Sequence, residues 1–137
     1  MRAKGLLIAV VSIIAAILVA VTGYGFDKAK VNQLLKTKKC EKCDLSKADL
    51  HGAELSGAKL AGAKLAGANL AAADLSSASL QGADMSGADL TLANLGRANL
   101  GNAKLNKARL TGAYLTGVTW TDGKKCKSGS VGMCRKK

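Results

Sequence analysis

Proline is absent from this chain, and histidine occurs once, as His51. The first absence leaves no proline-rich linker between segments, and the second leaves no histidine cluster to hold a metal. Aromatic residues are nearly as scarce, with one tryptophan, two tyrosines and one phenylalanine in 137 residues. A core of interlocking rings is thereby excluded, so leucine and small residues must do the burying. The length suits one small domain and a short extra segment.

A net charge of +12 invites a nucleic-acid or membrane reading, but the charge is not spread evenly. Residues 1–43 carry eight Lys/Arg against Asp27 and Glu41, and residues 123–137 carry six with no acid. Residues 44–122 hold seven of each sign. The body is neutral, and each end stands at +6.

No charge interrupts the stretch from Gly5 to Phe26, whose most apolar part, Leu6 to Val21, is 16 residues long. That lies between a signal-peptide apolar region and a membrane span of ~20 residues. Arg2 and Lys4 are expected to hold the N-terminus in the cytoplasm and direct the downstream chain outward. Residues 1–25 are therefore expected to be a signal peptide or a single membrane anchor, with 5–22 as the anchoring stretch. The tripeptides Val21-Thr22-Gly23 and Gly23-Tyr24-Gly25 are only weak cleavage signals, so both fates stay open. The body is expected to be exported to the periplasm or another extracytoplasmic space.

Self-similarity dominates the rest. From Cys43 to Asp122 the chain divides without insertion into sixteen pentads: CDLSK, ADLHG, AELSG, AKLAG and so on to VTWTD. The central residue is Leu in fourteen, Met85 in one and Trp120 in the last; the residue two before it is Ala in fourteen. On an α-helix a period of five makes the leucines spiral around the axis, and on a straight strand it flips each to the opposite face. Only a chain that bends once per pentad keeps all the leucines inside. Gly closes half of the pentads and relieves strain at the bends.

The string A-(D/N)-L-x-x, as in ADLHGAELSG and ANLGRANL, resembles the pentapeptide-repeat proteins. The resemblance covers residues 43–122 and implies an all-β solenoid, a right-handed quadrilateral β-helix with four pentads per coil. Sixteen pentads then make about four coils, a rod of roughly 19 Å at strand spacing. Residues twenty apart would stack into four outward columns: Asp44, Lys64, Asp84, Lys104; Asp49, Asn69, Asp89, Arg109; Glu54, Asp74, Asn94, Tyr114; and Lys59, Ser79, Asn99, Thr119. A solvated wall with mild cross-coil ion pairs is expected, each pair worth ~0–1 kcal/mol. Some members of that family are read as mimics of duplex DNA that bind DNA gyrase through an acidic rod. The neutral body, basic ends and export signal of this chain depart from that pattern. Leu92 breaks the small-residue rule at its bend, with Arg97 one pentad on, and the two are the candidate contact point.

Both ends of such a solenoid need caps. Residues 26–42 precede the first coil, with Asp27 placed as a helix N-cap. Val31, Leu34 and Leu35 fall at helical spacing, so a short α-helix is expected to cover the open end. Extending the pentad phase backwards makes Cys40 inward and gives Cys43 the alanine-like position. At the other end Trp120 replaces leucine as a plug, and residues 123–137 form a basic loop with Cys126 and Cys134. Four cysteines in two pairs on an exported chain suggest two disulfides. A shared zinc site does not fit pairs at opposite ends of a rod, because zinc–sulfur bonds are about 2.3 Å. A redox role for the C-x-x-C, with Lys39 and Lys42 nearby, is the alternative.

No nucleophile–base pair, carboxylate dyad or phosphate loop emerges, so a non-enzymatic protein without cofactor, metal or nucleic-acid partner is expected. The leading reading is an exported or membrane-tethered scaffold that offers a rigid wall to another envelope protein. The alternative is electrostatic binding of an anionic membrane surface or polyanion by the basic ends.

Overall fold

A computed structural model describes residues 26–137, so the signal or anchor segment expected at 1–25 lies outside the described residues. Among the described residues no helix is long and apolar enough to cross a membrane.

Each pentad makes one short extended stretch and one tight turn. The N–H of Ala48 donates back to the Leu45 carbonyl at 3.0 Å, which closes a four-residue turn. Its third residue, Lys47, has φ +61°, the positive value that a type II turn requires. Positive φ recurs at every fifth residue from Lys42 to Gly117. That repeated turn is the bend demanded by the period of five. Non-glycine residues such as Ala72, Leu92 and Arg97 also adopt it, at a cost of about 1–2 kcal/mol each. From Lys42 to Asn102 the corner N–H groups are in turn bonded to the next coil, as from Lys47 to Ala66 at 2.9 Å.

Parallel bridges join residues twenty apart, from Lys39–Lys59 through Asn99–Thr119. Four pentads therefore complete one coil, and the four outward columns stand in the expected register. The Leu50 N–H donates to Asn69 at 2.8 Å, and the Asn69 N–H donates to Ala48 at 2.9 Å. The axis is filled by the central residues from Leu45 to Leu100, none more than 2% exposed, with Met85 among them. Ala58 to Ala98 pack beside them, fully shielded.

The N-terminal cap is α1, Lys28–Thr37. The Asp27 carboxylate accepts from the Ala29 N–H at 2.8 Å, and Lys38 ends the helix in the left-handed conformation with its N–H on the Leu34 carbonyl. Val31 and Leu34 are buried against the first coil, but Leu35, expected beside them, is 41% exposed. The helix is one stripe wide: Val31 and Leu34 are three apart and face the rod, and Leu35 turns to solvent. The cap is also shorter than 26–42, because the ladder already begins at Lys39. Cys40, 1% exposed, takes the first axial place, and Cys40 and Cys43 are joined by a disulfide.

After Trp120 the chain folds back on the last coil through antiparallel bridges Thr119–Lys125 and Tyr114–Val131. Trp120 is half-buried and packs against the core; its N–H donates to the Lys124 carbonyl at 2.8 Å. Cys126 and Cys134 form the second disulfide. The two cysteine pairs occupy opposite caps.

Candidate interaction wall

The walls owe their Asp and Asn residues to a local bond that sequence reading missed. In each of eight pentads, the side chain before the central residue accepts from the N–H two residues on. Asp74 to Ser76 at 2.9 Å, Asp84 to Ser86 at 3.0 Å and Asn94 to Gly96 at 3.0 Å are examples. These are Asx turns, which satisfy an N–H that the bend leaves without a backbone partner. In six of the eight the signal is an Asp or Asn two residues before Ser, Thr or Gly. The Ser76 hydroxyl and then its N–H hold the Asp74 carboxyl below the usual carboxylate range; Ser46 and Ser86 do the same for Asp44 and Asp84.

This corrects the expected cross-coil ion pairs. The column Asp44, Lys64, Asp84, Lys104 is in register, yet among the described residues the only wall ion pair is Arg109–Asp89 at 3.4 Å. The acids are turned toward their own corners. Asn69 and Asp49 do meet across coils, amide to carboxylate, at 3.2 Å.

One wall differs from the other three. It carries Glu54, Asp74, Asn94 and Tyr114 in register, and its two flanking corners are the columns that contain Leu92 and Arg97. The two residues singled out in the sequence therefore border the same wall. Leu92 is 67% exposed and Tyr114 46%. Val131, bridged to Tyr114, is also exposed, which extends the apolar surface toward the C-terminal cap. The Tyr114 ring lies across Gly96, where an added methyl would stand 3.0 Å from a ring carbon. Beside the ring a shallow cleft of about 390 Å³ is lined by Ser76, Ser77, Asn94, Arg97 and Thr116. Leu92 in turn leans over the corner of Gly112. The wall thus offers an aromatic ring and a guanidinium edge around a polar hollow, with the exposed Leu92 at its other corner, a surface suited to contact. Leu34 and Trp120 belong to the caps, as do the cysteines, and none of them joins this wall.

The pentapeptide-repeat family model, in eight copies, matches residues 39–60, 53–91 and 93–119. Among solved structures the chain is similar to HetL, a pentapeptide-repeat protein involved in heterocyst differentiation regulation in the cyanobacterium Nostoc sp. strain PCC 7120. Identity is 47% and the TM-score 0.63, over 64% of this chain and 40% of that one. It is also similar to Rfr23, a pentapeptide-repeat protein from the cyanobacterium Cyanothece 51142, at 39% identity and a TM-score of 0.60, over 68% of this chain and 63% of that one. The match spans less than two thirds of either relative's length. A search of curated proteins finds no match.

Proposed function

The chain belongs to the pentapeptide-repeat family, and on that premise we propose that it is a non-catalytic, extracytoplasmic scaffold that binds an envelope protein through the Glu54–Tyr114 wall. The observation that carries the reading is that the exposed Leu92, Tyr114 and Val131 all lie along this one wall and its C-terminal edge, since exposed apolar side chains on one face of a rigid surface mark contact sites. The rod suits such a role because every coil is bonded to the next, so the wall is already ordered before a partner arrives. HetL, with the same repeat, is involved in heterocyst differentiation regulation, which supports a regulatory or interaction role for the shared architecture. Export is supported by the apolar stretch 6–21 behind Arg2 and Lys4 and by two disulfides in the caps, bonds that persist in oxidising compartments.

Cross-linking and capture from the envelope fraction test the wall. The wild type and Lys64→Glu, altered on the opposite wall, should retain the same partner, and Leu92→Asp with Tyr114→Ser should lose it. Undiminished capture by the double variant would overturn the wall assignment. A reporter fused to the C-terminus tests export, and reporter activity confined to the cytoplasm would refute it. Alkylation without reductant should label no cysteine in exported protein.

A further inference from the structure

The C-terminal end of the rod is closed on only two of its four sides. On the Tyr114 and Thr119 sides the returning chain completes the ladder. There Leu115 donates to Ser130, Gly117 to Cys126 and Trp120 to Lys124, and the Ala113 and Val118 carbonyls accept from Gly132 and Cys126. On the Lys104 and Arg109 sides the same groups have no counterpart. One coil lower, the N–H groups of Met85 and Gly87 donate to Lys104 and Asn106, and the Ala83 carbonyl accepts from Lys104. The equivalents in the last coil are the N–H groups of Leu105, Lys107 and Leu110 and the carbonyls of Ala103 and Ala108. Among the described residues none of these five makes a hydrogen bond. The side chains beneath are correspondingly bare: Leu105 and Leu110 are only partly buried, whereas their counterparts Met85 and Leu90 are fully shielded.

Unpaired ladder groups above half-covered leucines form a template for another strand. Charge selects the occupant. Residues 100–137 hold nine Lys/Arg and one acid, Asp122, which is already paired with Lys136 at 2.7 Å. Lys104 and Lys107 stand directly on the open edge, beside Arg109, whose guanidinium is paired with Asp89. A second copy stacked end to end would bring the same cations face to face, and residues 1–25 carry Arg2 and Lys4 with no acid. We infer that the edge from Ala103 to Leu110 is a docking site for an extended acidic segment of a partner protein, added as a further partial turn of the β-helix. The main chain of that segment bonds the five open groups, its apolar side chains cover Leu105 and Leu110, and its carboxylates meet Lys104 and Lys107. This site is at the end of the rod and does not rest on the wall proposed above.

Amide hydrogen exchange on the oxidised full chain, kept in a nonionic detergent, tests it with a short peptide of alternating valine and glutamate. In the free protein the Leu105, Lys107 and Leu110 amides should exchange much faster than those of Met85 and Leu90. At ten times its dissociation constant the peptide should slow them about tenfold, less as salt rises, and less in Lys104→Gln/Lys107→Gln. The Leu92→Asp wall variant should respond like wild type, so the two proposals fail separately. Equal protection by a valine–lysine peptide would overturn the inference. So would amides already protected in dilute free protein, protection that grows with protein concentration alone, or protection by phosphatidylglycerol vesicles and not by the acidic peptide.

Discussion

The corners of the rod are arranged in columns, and in one of them Gly112 stands a full coil after Leu92. Gly112 has φ +68°, and a methyl added there would lie 2.7 Å from the Leu92 Cδ2. Gly52, in the same column, has φ +64° and nothing within 4 Å of an added methyl. Gly52→Ala therefore isolates the backbone cost. A left-handed residue with a Cβ loses about 1–2 kcal/mol, and the stiffer unfolded chain returns about 0.4–1 kcal/mol, so the net loss is about 0.5–1 kcal/mol. Gly112→Ala bears that cost and must also push Leu92 aside. The leucine is exposed and its tip can rotate, so the additional cost is that of a displaced rotamer, about 0.5–1.5 kcal/mol. In a Leu92→Ala background the extra cost should vanish, leaving Gly112→Ala equal to Gly52→Ala. Urea unfolding of the oxidised protein, followed by circular dichroism, measures all four variants. Additivity of Leu92→Ala and Gly112→Ala within about 0.3 kcal/mol would refute the contact.

Other perturbations probe different parts. Leu80→Ala, at a fully buried axial site, should cost about 2–5 kcal/mol. Leu110→Ala, on the open edge, should cost clearly less, and equal losses in the urea midpoint would contradict the half-closed end. Asp44, Asp74 and Asp84 have carboxyls held below their ordinary value, so the stability they add is present above the unfolded carboxylate range and lost as pH falls through the lower folded values. Melting temperature should be level near neutrality and decline below about pH 4. Asp74→Asn, which keeps the acceptor for the Ser76 N–H, should be milder than Asp74→Ala at neutral pH. Loss of the Cys126–Cys134 bond, which spans eight residues, should cost about 2.5 kcal/mol by loop entropy, read as a lower urea midpoint in Cys126→Ala/Cys134→Ala.

Much of this architecture is legible because the period of five allows few solutions. The axial leucines, the inward Cys40 and the exposure of Leu92 follow from a bend in every pentad, and the columns of twenty follow from the four-sided coil that the family resemblance implies. The purpose of Asp and Asn does not follow, because a period states direction and not which N–H a bend leaves unbonded. Leu35 was misplaced because helical spacing alone does not tell how wide a stripe the rod end can cover. Leu92 and Arg97 could be picked out as departures, but their shared wall depends on counting columns of twenty and on the tyrosine one coil later. The open C-terminal edge was invisible, since only the path of residues 123–137 decides which sides they cover.

The glycines opposite bulky corner residues bear on how the chain finds its place among near-identical repeats. Along the axis one leucine is much like the next, so a coil displaced by one pentad would fill the interior almost as well. The surface is less forgiving. Lys42, Lys47, Leu92 and Arg97 each lie over a glycine one coil later: Gly62, Gly67, Gly112 and Gly117. A shift of one pentad toward the C-terminal end of the rod would set Lys107, in place of Gly112, over Leu92. At that corner the small residue acts as a notch that favours the register of twenty over its neighbour.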